Sequence, residues 1–494
     1  MPSRQRDKHC AMAVSPETFV AEWGDALAKG QASLFVGSGV SLEAGYGSWS
    51  DLLETCAKEL RIKLHRLDDL AMVAQHYLNQ GGNRGAELRQ AVRDSLRPVP
   101  DDRLPRSLGV LARSHLRTIW TTNYDQLIEQ AWRQQGLHLD VKRNQTDFNV
   151  APPPWADGTL YKMHGCVGDL DNIVIAKDHY DQYATSREGF FTALAADLIG
   201  KRMLFLGFGH RDPNLAIMFS TLRRMFGNGA ARHFSLARRP KAEPTEDQDE
   251  VDQRFDLWVQ DWEVRYGVKF VEVTDWDEVP GLLERVELRT VRDSVLISGS
   301  LPEDASSAER EVPQAVAEAV AGMLPGEGFR LVSGFGLTVG SAAISGLLAA
   351  LNRKGEPSVR LDRHMLLRPF PQPAPGTAVD PSLWTAWRRE MVNRAGATVI
   401  VAGAKRDGGG ALSVADGVIE EFRMTLDSGR VPIPVGATGH AAARAWTAMQ
   451  AELGRWPWYP KDAFRTLNDA SVGPAALAKA VRDILKAFGK SHTP

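Results

Sequence analysis

Two polar residues stand where chemistry can be done. Asn123 lies in TTNYD at 121–125 and His164 in KMHG at 162–165, each at the end of a strand-like apolar run, 116–122 and 159–163. Open parallel sheets place ligands at such strand ends. An imidazole titrates near neutrality and can take a proton from a hydroxyl or a water. A carboxamide donates and accepts without adding charge. Ahead of both comes VGSGVS at 36–41, with Gly37, Ser38, Gly39 and Ser41; it follows the apolar run 33–36 and leads into helix-compatible sequence. Strand, glycine turn and helix in that order let the backbone approach a pyrophosphate, whose charge exposed N–H groups at the helix start stabilise. Each piece also has a plain reading. The glycines can form an ordinary tight turn, His164 can be a turn residue before Gly165, and Asp125 can cap the helix that follows it. The order and spacing of the three segments favour a single site for a dinucleotide.

These residues need a scaffold, and the chain is long enough for two. At 494 residues it exceeds one ordinary core. Ser15-Pro16-Glu17-Thr18 opens a helix in which Phe19, Trp23 and Leu27 recur, and Gly30 stops it. From 49 to about 97 the pattern is helical, a helical insertion after the first glycine loop. Strand-like sequence returns at 116–122, 159–163, 172–176 and 203–207. The last run continues as LFLGFGHRDPNL, with Gly207 and Gly209 in a turn, Asp212 as an N-cap and Pro213 in the first helical turn. The segment 238–256 is polar and charged, a surface loop leading into a helix. A second α/β cycle starts near 293: strands SVLISGS, FRLVSGFG, ATVIVAG and VPIPVGAT alternate with helices over 304–323, 338–351 and 414–426. Strands alternating with helices imply a parallel sheet covered on both faces. The boundary falls near 288, giving domains 1–288 and 289–494, and the proline-rich stretch 369–381 is a loop or insertion in the second.

Composition narrows the partners. Hydrophobic residues at 43% and charged residues at 24% are those of a folded globular protein. A formal net charge of −2 provides no basic field for nucleic acid. Cys10, Cys56 and Cys166 are too few and too scattered for a four-cysteine zinc module, so no metal is expected, and they suggest a reducing cytoplasm. No run is apolar for long enough to span a bilayer, and the N-terminal apolar stretch is too short for a secretion signal.

GSGVS, TTNYD and HG, in that order, resemble the NAD-binding and catalytic motifs of the SIR2 (sirtuin) family over roughly the first 285 residues. Ser38 stands where the family usually has alanine, and TTNYD keeps the asparagine and aspartate of its Q-N-x-D motif without the glutamine. The resemblance implies that Asn123 orients the nicotinamide ribose and a water, and that His164 is the general base. Gly37, Ser38, Gly39, Ser41, Asp125, Gly207, Gly209, Asp212 and Asn214 are the implied NAD contacts. Breaking the ribose–nicotinamide bond passes through an oxocarbenium-like state, which suits these two residue types. Protein deacylases of the family carry the zinc module this chain lacks, so water is the expected acceptor and ADP-ribose and nicotinamide the expected products.

The second half resembles a SLOG domain, a Rossmann-like nucleotide-sensing fold, through ISGSLPE at 297–303, SGFGLTVGS at 333–341, LRPFP at 367–371, VAGAKRDG at 401–408 and DGVIEEF at 416–422. Glycine turns after three strands let N–H groups converge on phosphates, and Arg368 and Lys405 add cations. Glu420 or Glu421 can accept from ribose hydroxyls. The candidate effector contacts are thus Gly299, Ser300, Glu303, Gly334, Gly336, Arg368, Lys405, Gly417, Glu420 and Glu421. Alternatively, DGVIEEF is an amphipathic helix with an acidic first turn, and Lys405-Arg406 a solvated loop.

The expected fold is therefore α/β, an N-terminal SIR2-like Rossmann-type parallel sheet with a helical insertion followed by a second doubly wound, Rossmann-like SLOG domain. SIR2 followed by SLOG is similar to the effectors of Thoeris anti-phage defence systems. That resemblance implies a homotetrameric NAD+ hydrolase activated by a cyclic ADP-ribose isomer made by a partner TIR-domain protein. Two other readings stand beside it: a sirtuin-like deacylase or ADP-ribosyltransferase, and a non-enzymatic nucleotide-sensing scaffold.

Overall fold

In the computed structural model the described residues are 14–65, 69–209, 219–221, 223, 233–336, 338–355, 360–370 and 380–491. The chain divides into two compact units, Met1–Glu287 and Leu288–Pro494.

Apolar side chains alternate along the central strands of the first unit, and both sets are buried. Leu34 and Val36, Ile119, and Leu204 and Leu206 belong to one core cluster. Phe35, Trp120, Met203 and Phe205 belong to another. A sheet buried on both faces suits parallel pairing, because crossover helices cover the two sides. Seven parallel strands result, β1 (Ala32–Val36), β2 (Thr118–Thr121), β3 (Leu139–Lys142), β4 (Gly158–Lys162), β5 (Arg202–Leu206), β6 (His233–Ala237) and β7 (Val268–Glu272), in the order β3-β4-β2-β1-β5-β6-β7. After β1 the chain builds outward to β3 and then returns to place β5 on the other side of β1. That reversal opens the crevice in which such sheets take ligands.

Ser15 caps the helix Pro16–Ala28, its hydroxyl accepting from the Thr18 N–H at 3.2 Å. The helical region after the first glycine loop forms Trp49–Glu59, Leu70–Leu78 and Arg84–Ser95, which bury Leu53, Tyr77, Leu88 and Val92 together. The run 172–176 is a correction: its apolar residues are buried, but among the described residues it pairs with no strand. Ile173 and Ile175 pack into the helical insertion, while Val174 faces the sheet cluster. Its main-chain groups instead serve neighbouring loops, the Val174 N–H donating to the His164 carbonyl at 2.9 Å and its carbonyl accepting from the Tyr124 hydroxyl at 2.7 Å. The polar segment from 238 leads into the helix Gln248–Tyr266.

In the second unit β8 (Ser294–Ser298), β9 (Arg330–Ser333), β10 (Met365–Leu367), β11 (Ala397–Val401) and β14 (Val431–Val435) form a parallel sheet of order β10-β9-β8-β11-β14. Short strands β12 (Ala404–Arg406) and β13 (Leu412–Val414) make a separate antiparallel pair. The helices Ser307–Glu327 and Val339–Arg353 pack so closely that a β-carbon on Gly346 would stand 2.2 Å from the Glu318 carbonyl oxygen. Most of the expected stretch 369–381 lies outside the described residues. No described helix is long and apolar enough to cross a membrane.

Candidate active site

Register carries the two candidate catalytic residues to the same edge. Thr121 at the end of β2 pairs with Lys162 at the end of β4, and Asn123 and His164 each follow two residues later. Val36 of β1 pairs with both Thr121 and Leu206, so the glycine turn and the Gly207 turn leave the sheet at the same level. The Thr121 hydroxyl ties two of these exits together by donating to the Val36 carbonyl and accepting from the Asn123 N–H, both at 2.9 Å.

Asn123 is oriented by two acceptors. Its Nδ2 donates to the Gly37 carbonyl and to the Ser41 hydroxyl, each at 2.9 Å. With both amide hydrogens engaged, Oδ1 is the atom it can offer to a ribose hydroxyl or a water. Ser41 passes its own proton on, its hydroxyl donating to Asp125 Oδ2 at 2.6 Å. Asp125 Oδ1 accepts the Leu127 N–H at 3.1 Å, so the aspartate both holds the first N–H of the helix Leu127–Gln134, one residue ahead of its N-cap Gln126, and anchors the Asn123–Ser41 network.

The glycine turn departs from expectation in one respect. The N–H groups of Gly37 and Gly39 donate to the carbonyls of Leu206 and Gly207, at 2.9 and 2.8 Å, and so fasten two loops together. Glycine is required there by contact between backbones, and the helix that follows, Ser38–Glu43, is short. Gly209 is exposed at the end of the described Gly207 turn, and Asp212 and Asn214 lie outside the described residues.

His164 is buried, with the rings of Tyr180 and Tyr183 meeting it edge-on at centroid distances of 5.2 and 6.1 Å. Its carbonyl is held by Val174, and Gly165 turns the chain away at φ +87°. An imidazole between aromatic walls is shielded from bulk water yet fixed in direction, which suits a proton acceptor. Beneath it Lys162 is fully buried, ion-paired to Glu129 at 3.1 Å. Burial opposes its charge, but the carboxylates of Glu129 and Asp125 outweigh burial and hold its pKa above the ordinary lysine range. By contrast His233, also buried, is a structural histidine: Nδ1 accepts from the Met203 N–H at 3.2 Å, and burial pushes its pKa down to about 4. Among the described residues no three His, Cys, Asp or Glu side chains are placed to hold a metal ion.

In the second unit, Ser333 pairs with Leu367, and Gly334 and Arg368 come next on their strands. Gly299 follows Ser298 at the end of β8, where a β-carbon would stand 2.2 Å from the Val401 carbonyl oxygen. Ser300 accepts main-chain N–H groups of Gly403 and Ala404 at 3.2 and 2.9 Å. Glu421, on the helix Asp416–Asp427, reaches this end from below and accepts from the Ser298 hydroxyl. Its carboxyl is buried and its pKa is pushed up to about 7, because burial outweighs the Ser298 hydrogen bond and the nearby Arg388. Glu420 diverges, accepting from Thr385 and from Arg388, both at 2.8 Å. Arg368 pairs with Glu390 at 3.2 Å, Lys405 pairs with Asp416 on the β12 side, and Glu303 is exposed. A β-carbon on Gly336 would face the Gly299 carbonyl oxygen at 3.8 Å.

Arg388 is the residue sequence reasoning missed. It lies 3.8 Å from Glu421, stacks near Phe370 and Trp384, and covers Gly417 so tightly that a β-carbon there would meet its guanidinium at 2.4 Å. In WRREMVN it reads as one more charge on an amphipathic helix, and only the fold turns it toward Glu421.

Fold and site together define an α/β protein with a SIR2-like domain ahead of a SLOG domain. Residues 117–266 match the SIR2-like domain family, and residues 278–488 match the Sir2- and TIR-associating SLOG family. The chain is 31% identical over 484 residues to the NAD(+) hydrolase ThsA of Bacillus cereus (strain MSX-D12), covering 95% of this chain and 98% of that protein. It is 32% identical to the ThsA of Cytobacillus dafuensis over 88% of each chain, and 30% identical to that of Acinetobacter baumannii (strain 532279) over 93% of this chain and 96% of that protein. The chain belongs to the ThsA family.

Proposed function

We propose that this chain hydrolyses NAD+ to ADP-ribose and nicotinamide in its first domain, 1–288, under control of its second, 289–494. The observation that carries the reading is the common exit of Asn123 and His164 from paired strands beside the Gly37–Gly207 contact. In this reading Asn123 Oδ1 holds the nicotinamide ribose or the attacking water, and His164 accepts the proton as the glycosidic bond gives way. Gly37, Ser38, Gly39, Gly207 and Gly209 line the dinucleotide through backbone, and Ser41 and Asp125 hold Asn123 in place. The names of the relatives support NAD+ as the substrate.

The second domain would bind a cyclic ADP-ribose isomer made by a partner TIR-domain protein. Gly299, Ser300 and Gly334 would approach its phosphates, with Arg368 and Lys405 as cations and Glu421 against a ribose. The matching family's description as TIR-associating supports such a partner. Binding would switch on NAD+ depletion in Thoeris anti-phage defence, in a cytoplasmic homotetramer. Moving a site from about 1% to about 99% active requires roughly 5.5 kcal/mol of preference for the active state, which a tetramer can spread over several effector sites.

The test is nicotinamide release from NAD+ by the full chain across a panel of cyclic ADP-ribose isomers. At least one isomer should raise the rate. Turnover equal with and without every isomer would remove the regulatory half, and labelled protein or O-acyl-ADP-ribose as the main product would replace hydrolysis by transfer.

A further inference from the structure

Lys162 opens the KMHG segment but takes no part in the chemistry described so far. Its side chain is fully buried at the end of β4, two residues before His164. Its Nζ crosses to the neighbouring strand exit, donating to the main-chain carbonyl of Asp125 and pairing with Glu129 at 3.1 Å. Asp125 is the residue whose carboxylate anchors Ser41 and, through it, Asn123. One ammonium thus joins the segment carrying His164 to the turn carrying Asn123 and Asp125.

Stability alone is a poor reason for a charge here. Removing an ammonium from water is costly, and a well-packed apolar residue in place of a buried ion pair is often neutral or stabilising. The start of the helix Leu127–Gln134, where Lys162 sits, carries the positive end of the helix dipole and so disfavours a cation further. Glu129 is only half engaged: its Oε2 is buried and has no hydrogen-bond partner among the described residues. A contact that is expensive to bury and that apolar packing could replace, yet bridges two site segments, is better explained by placement than by cohesion.

We propose that Lys162 is a positioning residue for NAD+ cleavage, clamping the Asp125 carbonyl so that Asn123 and His164 face the same ribose. The proposal rests on the assignment of Asn123 and His164 as the catalytic pair. Lys162 is fully buried and acts through the Asp125 carbonyl. Its effect is on geometry in the transition state rather than on capture of NAD+.

The experiment compares Lys162→Met, the double variant Lys162→Met/Glu129→Leu and His164→Ala in the full chain. Nicotinamide release is measured against NAD+ concentration, with the cyclic ADP-ribose isomer that best activates the unaltered protein or with none if none activates. Misplacement by about 1 Å can cost about 100-fold. The double variant is therefore expected to keep or raise the Tm, and Lys162→Met, which leaves the Glu129 carboxylate buried without its cation, to lower it; both should lower kcat by about 30-fold or more and leave KM within about threefold. If the single variant fails to fold, the double variant, which leaves no buried charge behind, decides the matter. A folded Lys162 variant with kcat within about twofold of the unaltered protein, or with a raised KM at unchanged kcat, overturns the proposal. Unimpaired turnover by His164→Ala instead overturns the assignment beneath it, so the two failures are distinguishable.

Discussion

Gly37 lies against the carbonyl of Gly207 with no room for a side chain: a β-carbon on Gly37 would stand 2.4 Å from that oxygen, and one on Gly207 would stand 2.7 Å from the Val40 nitrogen. The contact joins the turns after β1 and β5, where the strand order reverses. Gly37→Ala is therefore expected to part the loops, lowering Tm and reducing kcat/KM for NAD+ by about 100-fold. Unaltered melting and turnover would show that the close approach is not needed.

His164→Ala should cut nicotinamide release by about 100- to 10,000-fold, the range for a positioned acid–base group, and Asn123→Ala by about 100- to 1,000-fold, the range for a positioned polar contact. Calorimetric titration with NAD+ should still detect binding to the His164 variant, since the substitution leaves the glycine turns proposed to hold the dinucleotide unaltered. Retained turnover in either variant argues against the assignment.

Ser41→Ala removes the link between Asn123 Nδ2 and Asp125 Oδ2. A buried oxygen left without its donor costs about 1–3 kcal/mol. The variant should unfold at lower denaturant, and kcat should fall by about tenfold because Asn123 keeps only its Gly37 contact. Equal loss of stability with unchanged kcat would limit Ser41 to a structural part.

Glu421 predicts a pH dependence. Its folded pKa, about 7, lies above its value in the unfolded chain, so the folded state holds the proton more tightly. The stability this contributes is fully present below the ordinary glutamate range and is lost as pH rises through about 7. Calorimetric Tm of the full chain should decline between pH 5 and 8, and Glu421→Gln should flatten that decline. The same slope in the variant would exclude Glu421 as its source.

Arg388→Met takes the cation from beside both Glu420 and Glu421. Without it, burial acts on Glu421 with less opposition, and its proton is held more firmly. The activating isomer should then be needed at about tenfold higher concentration or more, while the maximal rate is kept. A lowered maximal rate at unchanged half-activation would place Arg388 outside the effector site.

Much of this was legible along the chain because local patterns carry it. Both sets of βα repeats, the Ser15 cap and the three site segments depend on neighbouring residues or on short periodicities. Strands that break the apolar pattern were not visible: β6 holds His233 and Ser235 in a buried strand, and β3, LDVK, is mixed in polarity. The 172–176 run shows the opposite error. Its apolar residues signal burial correctly, but burial does not require a strand partner, and its main-chain groups serve His164 and Tyr124 instead.

Residue types and order alone determined that an asparagine and a histidine follow strands behind a glycine turn, with a second glycine-rich half downstream. Only the tertiary structure decided what those residues touch. It spent the Gly37 and Gly39 N–H groups on the β5 loop, made Asp125 both a helix-start acceptor and an anchor, set Arg388 beside Glu420 and Glu421, and brought Lys162 into place. The physical reason is that strand register and helix packing join groups tens to hundreds of residues apart. Hydrogen bonds and ion pairs act only over a few ångströms, so they exist only once that packing is complete.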